Sequence, residues 1–241
     1  VKISIVVPAF NEEKLIDRSL ERIKAATRAF SELGWGSEII VCDNNSTDRT
    51  AKLARTAGAR VVFEPMNQIS LARNRGASAA TGDWLIFVDA DSFPSFELFA
   101  DVGQVIQSGK YIGGGAVVEM DQANGWGKAI TCIWNLVSRL KRWAAGSFVF
   151  CESTAFRELG GFSQELYAAE EIEFSMRLKR LARSRGMQVV ILHRHSLLTS
   201  ARKVHLYSCR EHLQLLIRTA IHRGENLKKR SACALWYDGR R

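Results

Sequence analysis

Two aspartates one residue apart, Asp89 and Asp91, follow the apolar run Trp84-Leu85-Ile86-Phe87-Val88. If the strand continues, a spacing of two puts both side chains on one side. Two carboxylates about 5 Å apart repel by roughly 3 kcal/mol at an effective dielectric near 20. A divalent cation turns that repulsion into binding. Carboxylate oxygens suit Mg²⁺ or Mn²⁺, and such an ion grips a diphosphate. The structural alternative is a turn acid plus a helix N-cap before Phe93-Pro94. Polar residues gather after two other apolar runs. Pro8-Ala9-Phe10-Asn11-Glu12-Glu13 follows the first strand candidate, and Asp43-Asn44-Asn45-Ser46 the second. Asn11, Ser46 and Asp48 equally suit helix N-caps.

The elements that must position these groups alternate in the first half. β-branched and apolar runs predict strands over 3–7, 38–42, 60–63 and 84–88. Helical periodicity predicts helices over about 13–33, from about Asp48 to Gly58, and over 70–80. The run at 84–88 is apolar on both faces, as in the middle of a parallel sheet covered by helices. This order predicts an α/β, doubly wound, Rossmann-like and mostly parallel sheet flanked by helices. Ligands of such a sheet bind at the carboxyl ends of its strands, where the acids lie. The second half predicts helices over 95–108, 129–145, 169–184 and 205–223. It predicts strands over 111–120, 148–151 and 188–192, with a bend at Gly113-Gly114-Gly115.

A chain of 241 residues with 46% hydrophobic and 24% charged residues is expected to form one domain rather than a disordered chain. Lys and Arg number 34 against 25 Asp and Glu, a net charge of +9. That excess suits nucleic acid, a phosphate-bearing small molecule or an anionic membrane. The five cysteines are odd in number and none form a C-x-x-C pair, which disfavours a disulfide framework or a zinc site and suits a reducing cytosol. No apolar run approaches the roughly 18 residues of a membrane span. The opening residues read as a strand rather than a signal peptide, so a cytoplasmic location is expected.

Four segments now carry a resemblance: Ser4-Ile5-Val6-Val7-Pro8-Ala9-Phe10-Asn11-Glu12-Glu13, Asp43-Asn44-Asn45-Ser46-Thr47-Asp48, Leu71-Ala72-Arg73-Asn74-Arg75-Gly76 and Phe87-Val88-Asp89-Ala90-Asp91. In that order and spacing, over about residues 2–200, they resemble the motifs of family 2 glycosyltransferases with the GT-A fold. The resemblance implies an inverting enzyme that uses a nucleotide-diphosphate sugar, a UDP-sugar first, and Mn²⁺ or Mg²⁺. It implies a catalytic domain over 1–204, its donor half at about 1–92 and its acceptor half at about 93–204. A basic helical extension occupies 205–241.

Carried over by residue, Pro8, Ala9, Phe10, Asn11 and Glu12 line the nucleoside pocket, with Glu12 near the ribose. Asp43, with Asn45 beside it, accepts a hydrogen bond from a ring N–H of the base. Uracil, thymine and guanine each have such a donor. Arg73 approaches the base or the diphosphate; the alternative is an ordinary solvated helix arginine. Asp89 and Ala90 lie near ribose and metal, and Asp91 is the principal metal ligand. Leu159-Gly160-Gly161-Phe162 and Ala169-Glu170-Glu171 resemble the acceptor-side motif, where the family usually has Glu-Asp. Glu171 takes the position of the catalytic base beside Glu170. Glu173 is assigned to structure, four residues before Arg177. His193 and His195 are two candidates for a third metal ligand, and Arg202 and Lys203 for a loop over the diphosphate. A solvated basic loop is the alternative for the last two.

Lys128 to Arg142 is basic and contains Trp134, with Trp126 and Trp143 flanking it. It suits a sugar face or a membrane interface. The apolar face predicted for 205–223 either packs on the domain or lies on anionic lipid with the basic tail. The acceptor is therefore expected to be a sugar or a lipid-linked molecule, with peripheral attachment at the inner membrane face. Two other readings keep the same fold. One is a non-catalytic nucleotide-sugar-binding or membrane-surface protein. The other is a sugar nucleotidyltransferase, which the absence of a Gly-rich basic loop after the first strand disfavours. Nucleic-acid binding lacks a recognisable module.

Overall fold

A computed structural model describes residues 1–122, 125–202 and 225–233. The first half forms β1 (Lys2–Ala9), α1 (Ile16–Ala26), α2 (Arg28–Glu32), β2 (Gly36–Asp43), α3 (Thr50–Thr56), β3 (Arg60–Phe63), α4 (Ile69–Ser78) and β4 (Trp84–Val88). The second half forms β5 (Ser92–Phe93), α5 (Phe96–Gln107), β6 (Tyr111–Asp121), α6 (Gly125–Lys141), β7 (Phe148–Glu152), α7 (Ser153–Glu158), α8 (Glu170–Ser184) and β8 (Gln188–Ser200). These strands make one sheet in the order β3-β2-β1-β4-β7-β6-β8-β5. β1 pairs parallel with β2 and β4, β2 with β3, and β6 with β8. β7 runs antiparallel between β4 and β6.

Alternation along β1 explains how both faces are covered. Ile3, Ile5 and Val7 enter one buried cluster with Ile16, Leu20, Phe99 and Phe148. Val6 enters the other with Phe87, Phe156, Phe162 and Phe174. The second cluster is a stack of rings, with Phe87 5.0 Å from Phe162 and Phe162 4.8 Å from Phe174. Register then aligns the functional ends: Ala9 lies opposite Asp43 and Val6 opposite Phe87. The chain order reverses between β1 and β4, and the crevice of a doubly wound sheet opens at such a reversal.

Several expectations are corrected. The helix expected over 13–33 breaks at Thr27, whose hydroxyl donates to the Lys24 carbonyl (2.8 Å), a local bond that competes with the helix ladder. Gly113-Gly114-Gly115 is not a bend but the middle of β6. A Cβ on Gly114 would lie 1.9 Å from the Val190 carbonyl oxygen, and one on Gly113 2.4 Å from that of Phe150. These strands approach too closely for side chains. The helix expected over 129–145 ends at Lys141, where Arg142 turns left-handed (φ 51°). β8 runs eight residues past Leu192, and β5 and α7 were not expected. The helix expected over 205–223 lies outside the described residues. Glu225–Lys228 and Arg230–Ala232 form 3₁₀ turns, and the Tyr167 N–H donates to the Leu227 carbonyl (2.8 Å).

Candidate active site

The loops after β1 and β2 are tied to each other rather than to their own helices. The Asn11 N–H donates to Ser46 Oγ (3.0 Å), and Asn11 Oδ1 accepts from the Thr47 N–H (2.8 Å). The Glu12 N–H donates to Thr50 Oγ1 (2.8 Å). Asn11 and Asn45 hold left-handed backbone (φ 52° and 64°), which asparagine tolerates better than most side chains. None of Asn11, Ser46 and Asp48 is a helix N-cap: Asp48 Oδ1 accepts from the Thr50 N–H (2.9 Å) in a local turn before α3, and its Oδ2 accepts from the Glu13 N–H (3.1 Å). Asp43 is buried and accepts from the Ser46 N–H (3.2 Å). Asn44, which sequence reasoning passed over, donates to the Glu64 and Met66 carbonyls (3.3 and 2.5 Å). It fixes the wall next to Asp43.

Arg73 is the centre of the site. It is 1% exposed, so the solvated-arginine alternative is excluded. Its guanidinium donates to Asp89 Oδ1 (2.9 Å), Glu170 Oε1 (2.5 Å) and the Gly146 carbonyl (2.7 Å). Burial disfavours its charge, but Asp89, Glu170 and Glu171 outweigh that and hold it firmly protonated. Arg73 thus joins the end of β4 to the start of α8. Ala169, just before α8, adopts φ 61°, a conformation alanine rarely takes, and such strain gathers at functional sites. It turns the chain so that Glu170 (2% exposed) points at Arg73. Glu171 follows, with its carboxyl against Gly146, where a Cβ would meet Glu171 Cδ at 3.3 Å. Burial first, and then the Glu170 charge, push Glu171 up to about 8, against the pull of Arg73.

This pair is supported by motif residues to which sequence reasoning assigned no role of their own. Asn74 donates to the Phe162 carbonyl and accepts from its N–H, both at 2.9 Å. Gly161 (φ 74°) lets that loop pass, since a Cβ there would lie 2.6 Å from Asn74 Oδ1. Glu173 pairs with Arg177 (2.6 Å), as expected of a structural acid, and Arg177 also donates to the Leu159 and Gly161 carbonyls.

At the metal end, Asp91 is 7% exposed. Arg202 forks onto Glu12 (2.6 and 2.9 Å) and approaches Asp91 at 3.5 Å. Glu12, expected at the ribose, therefore carries a cation here. His193 and His195 are not brought to this edge. Ser200, not either histidine, donates its N–H to the Asp91 carbonyl (3.0 Å). His195 lies five strand residues earlier, about 16 Å along β8, and His193 about 23 Å. His195 instead contacts Asp101 (2.9 Å), and His193 Nδ1 lies 3.4 Å from the Ile191 carbonyl. Among the described residues no three His, Cys, Asp or Glu side chains are arranged to hold a metal. Asp89 and Asp91 nevertheless fit Mg²⁺ or Mn²⁺, which take one or two carboxylates and complete their shell with phosphate and water oxygens.

A cleft of about 440 Å³ lies beside this edge. Phe10, Asn45, Gln68, Tyr167 and Arg230 are among its lining residues. The C-terminal stretch thus reaches the donor side. Its Cys233 is fully buried; burial, and then the charge of Glu170, push the thiol up to about 11. Cys42, Cys132, Cys151 and Cys233 are free thiols. No helix among the described residues is long and apolar enough to cross a membrane.

The sheet order, with acids at the carboxyl ends of β1, β2 and β4, is that of the GT-A class of nucleotide-sugar folds. Within that class, the family model described as glycosyl transferase family 2 matches residues 4–159, and the chain belongs to that family. An uncharacterized glycosyltransferase of Rickettsia typhi is 33% identical over 107 residues, covering 44% of this chain and 34% of the relative. The chain therefore spans only about a third of that relative's length. A mannosyltransferase of Pyrobaculum calidifontis, solved with GDP-Man and Mn²⁺, superposes with a TM-score of 0.68 at 18% identity over 88% of this chain and 59% of that one. TarS of S. aureus with UDP-GlcNAc gives 0.65 at 19% identity, over 83% and 58%.

Proposed function

We propose that this chain transfers a sugar from a nucleoside-diphosphate sugar, a UDP-sugar first, to an acceptor hydroxyl with inversion at the anomeric carbon. The observation that carries this reading is the buried Arg73 fork, which binds Asp89 of the donor edge and Glu170 of the acceptor edge into one network. Asp43 accepts a hydrogen bond from the base. Asp91, with Asp89, would hold Mn²⁺ or Mg²⁺, and such an ion would supply positive charge to the diphosphate. The proteins of similar fold solved with UDP-GlcNAc, and with GDP-Man and Mn²⁺, support a donor and a metal of this kind.

Glu171 takes the proton of the acceptor hydroxyl as that oxygen bonds to the anomeric carbon. The bond from that carbon to the diphosphate breaks, and the nucleoside diphosphate leaves. A carboxylate raised to about 8 is a stronger base than an ordinary one, which suits proton removal from an alcohol. Arg73 keeps the base from drifting higher still. The acceptor is a sugar or a lipid-linked hydroxyl. Transfer or slow hydrolysis of UDP- and GDP-sugars, with and without Mn²⁺, tests the reading. Turnover that requires the ion and is lost in Glu171→Gln is expected. Metal-dependent donor binding with no turnover on any acceptor would leave a nucleotide-sugar-binding protein instead.

A further inference from the structure

Helix α6 is packed inside out. At about 100° per residue, Trp126, Ile133, Leu136 and Leu140 fall within an arc of about 80°. All four are exposed, by 49%, 65%, 59% and 74%. They are half of the eight large hydrophobic side chains exposed among the described residues. The face about 170° away, toward the sheet, is mostly small and polar, with Trp134 at its edge packed against the core. There Gly127, Thr131 and Ser138 are buried. Asn135, on the same side, accepts from the Val118 N–H (3.0 Å) and donates to the Val118 carbonyl (2.8 Å). A soluble surface helix shows the opposite arrangement.

The charges around the stripe say what covers it. α6 contains no acid. Lys128 and Arg139 border the stripe on one side and Lys141 on the other. Beyond its C-terminal end, Lys179 Nζ donates to the Lys141 carbonyl (2.6 Å). Burial, then the nearby Arg183, Lys141 and Arg142 charges, all disfavour the charge on Lys179. An apolar stripe edged by cations is the pattern of a helix lying in the interface of an anionic bilayer, with tryptophan at headgroup depth. We infer that α6 is a docking element that lays Trp126, Ile133, Leu136 and Leu140 into an anionic membrane surface. Docking stands on α6 alone. Its consequence for the acceptor rests on the proposed transfer reaction: α6 leads through Trp143–Gly146 directly to Glu171, so a docked enzyme brings its base beside the lipid surface.

The test is sedimentation of the full chain with phosphatidylcholine vesicles containing none, a tenth or a third phosphatidylglycerol, without donor. Binding that rises at least tenfold with the anionic lipid is expected. It should weaken with salt and fall at least tenfold in the triple variant Ile133→Asp, Leu136→Asp, Leu140→Asp. Donor hydrolysis in solution, followed separately, should not change, because none of the three touches the site. Absent binding, or equal binding by wild type and variant, overturns the inference. So does a marked drop in melting temperature of the variant, which would show the stripe packed within the fold. A wild-type dimer that the variant dissolves would assign the stripe to a second copy and overturn it likewise. Hydrolysis failing while vesicle binding holds would remove the transferase reading and leave the docking intact.

Discussion

The donor edge and the acceptor edge are held in different ways. At the donor edge, parallel strands in register bring Ala9 level with Asp43 and Val6 level with Phe87, and the loops beyond them exchange short hydrogen bonds among Asn11, Ser46, Thr47 and Thr50. Backbone does most of the positioning. At the acceptor edge, Glu170 and Glu171 open a helix that a side chain, Arg73, ties to Asp89 after β4. Here charge does the positioning. A region fixed by strand register tolerates loss of one side chain in shape, if not in chemistry. A region fixed by one buried cation does not.

Three substitutions separate these modes. Asp91→Ala should have the largest combined effect, abolishing the Mn²⁺ dependence of donor binding and also lowering turnover on the order of 10³-fold. Melting temperature should hardly move; calorimetry with UDP with and without Mn²⁺ checks this. Glu171→Gln should lower kcat by roughly 10²–10⁴-fold and leave donor affinity intact. In the wild type, kcat/KM should rise with pH through a value near 8, and the variant should lose that limb. Arg73→Met strips Asp89 and Glu170 of their shared cation. Breaking a buried pair this way costs about 3–5 kcal/mol, read as a lowered denaturation midpoint. A variant of unchanged stability would break the contrast between the two edges.

Legibility in the sequence follows the same division. Strands such as 84–88 and the acids behind them were readable because a buried parallel strand is a short, uninterrupted apolar run. The segments Pro8–Glu12, Asp43–Asn45 and Asp89–Asp91 follow those runs directly, so local order implied spatial convergence. Beyond residue 93 that logic weakens. Past Leu192, β8 reads His-Arg-His-Ser before its apolar pattern resumes at Leu197-Leu198, so the polar break hid its extension and the displacement of His193 and His195 from the edge. Arg202 meets Glu12 across 190 residues, a contact no local pattern encodes. Arg73 was visible as a motif residue but not as the link between two carboxylates. Its partners are set by how α8 crosses the end of β4. The Asn74 amide bonds the Phe162 backbone and Gly146 offers its own carbonyl to Arg73, partners that no local pattern names.

The smallest predicted effect probes the acceptor edge without chemistry. Glu171 has a folded value of about 8 against an ordinary 4.5. Between these values the folded state holds a proton that the unfolded state has lost. The stability from that proton is fully present below about 4.5 and disappears as pH rises through 8. Above that, the folded enzyme must carry a second buried carboxylate beside Glu170. Glutamine has nearly the same shape and no proton to lose. Glu171→Gln should therefore match the wild type in melting temperature at pH 5 and exceed it by a few degrees at pH 9, a gain of about 1 kcal/mol or more. Differential scanning fluorimetry across that range reads the difference directly. Other titrating groups are common to both proteins and cancel. Parallel curves would mean that Glu171 is no more strained than a surface glutamate. The pull of Arg73 would then offset burial and the Glu170 charge in full.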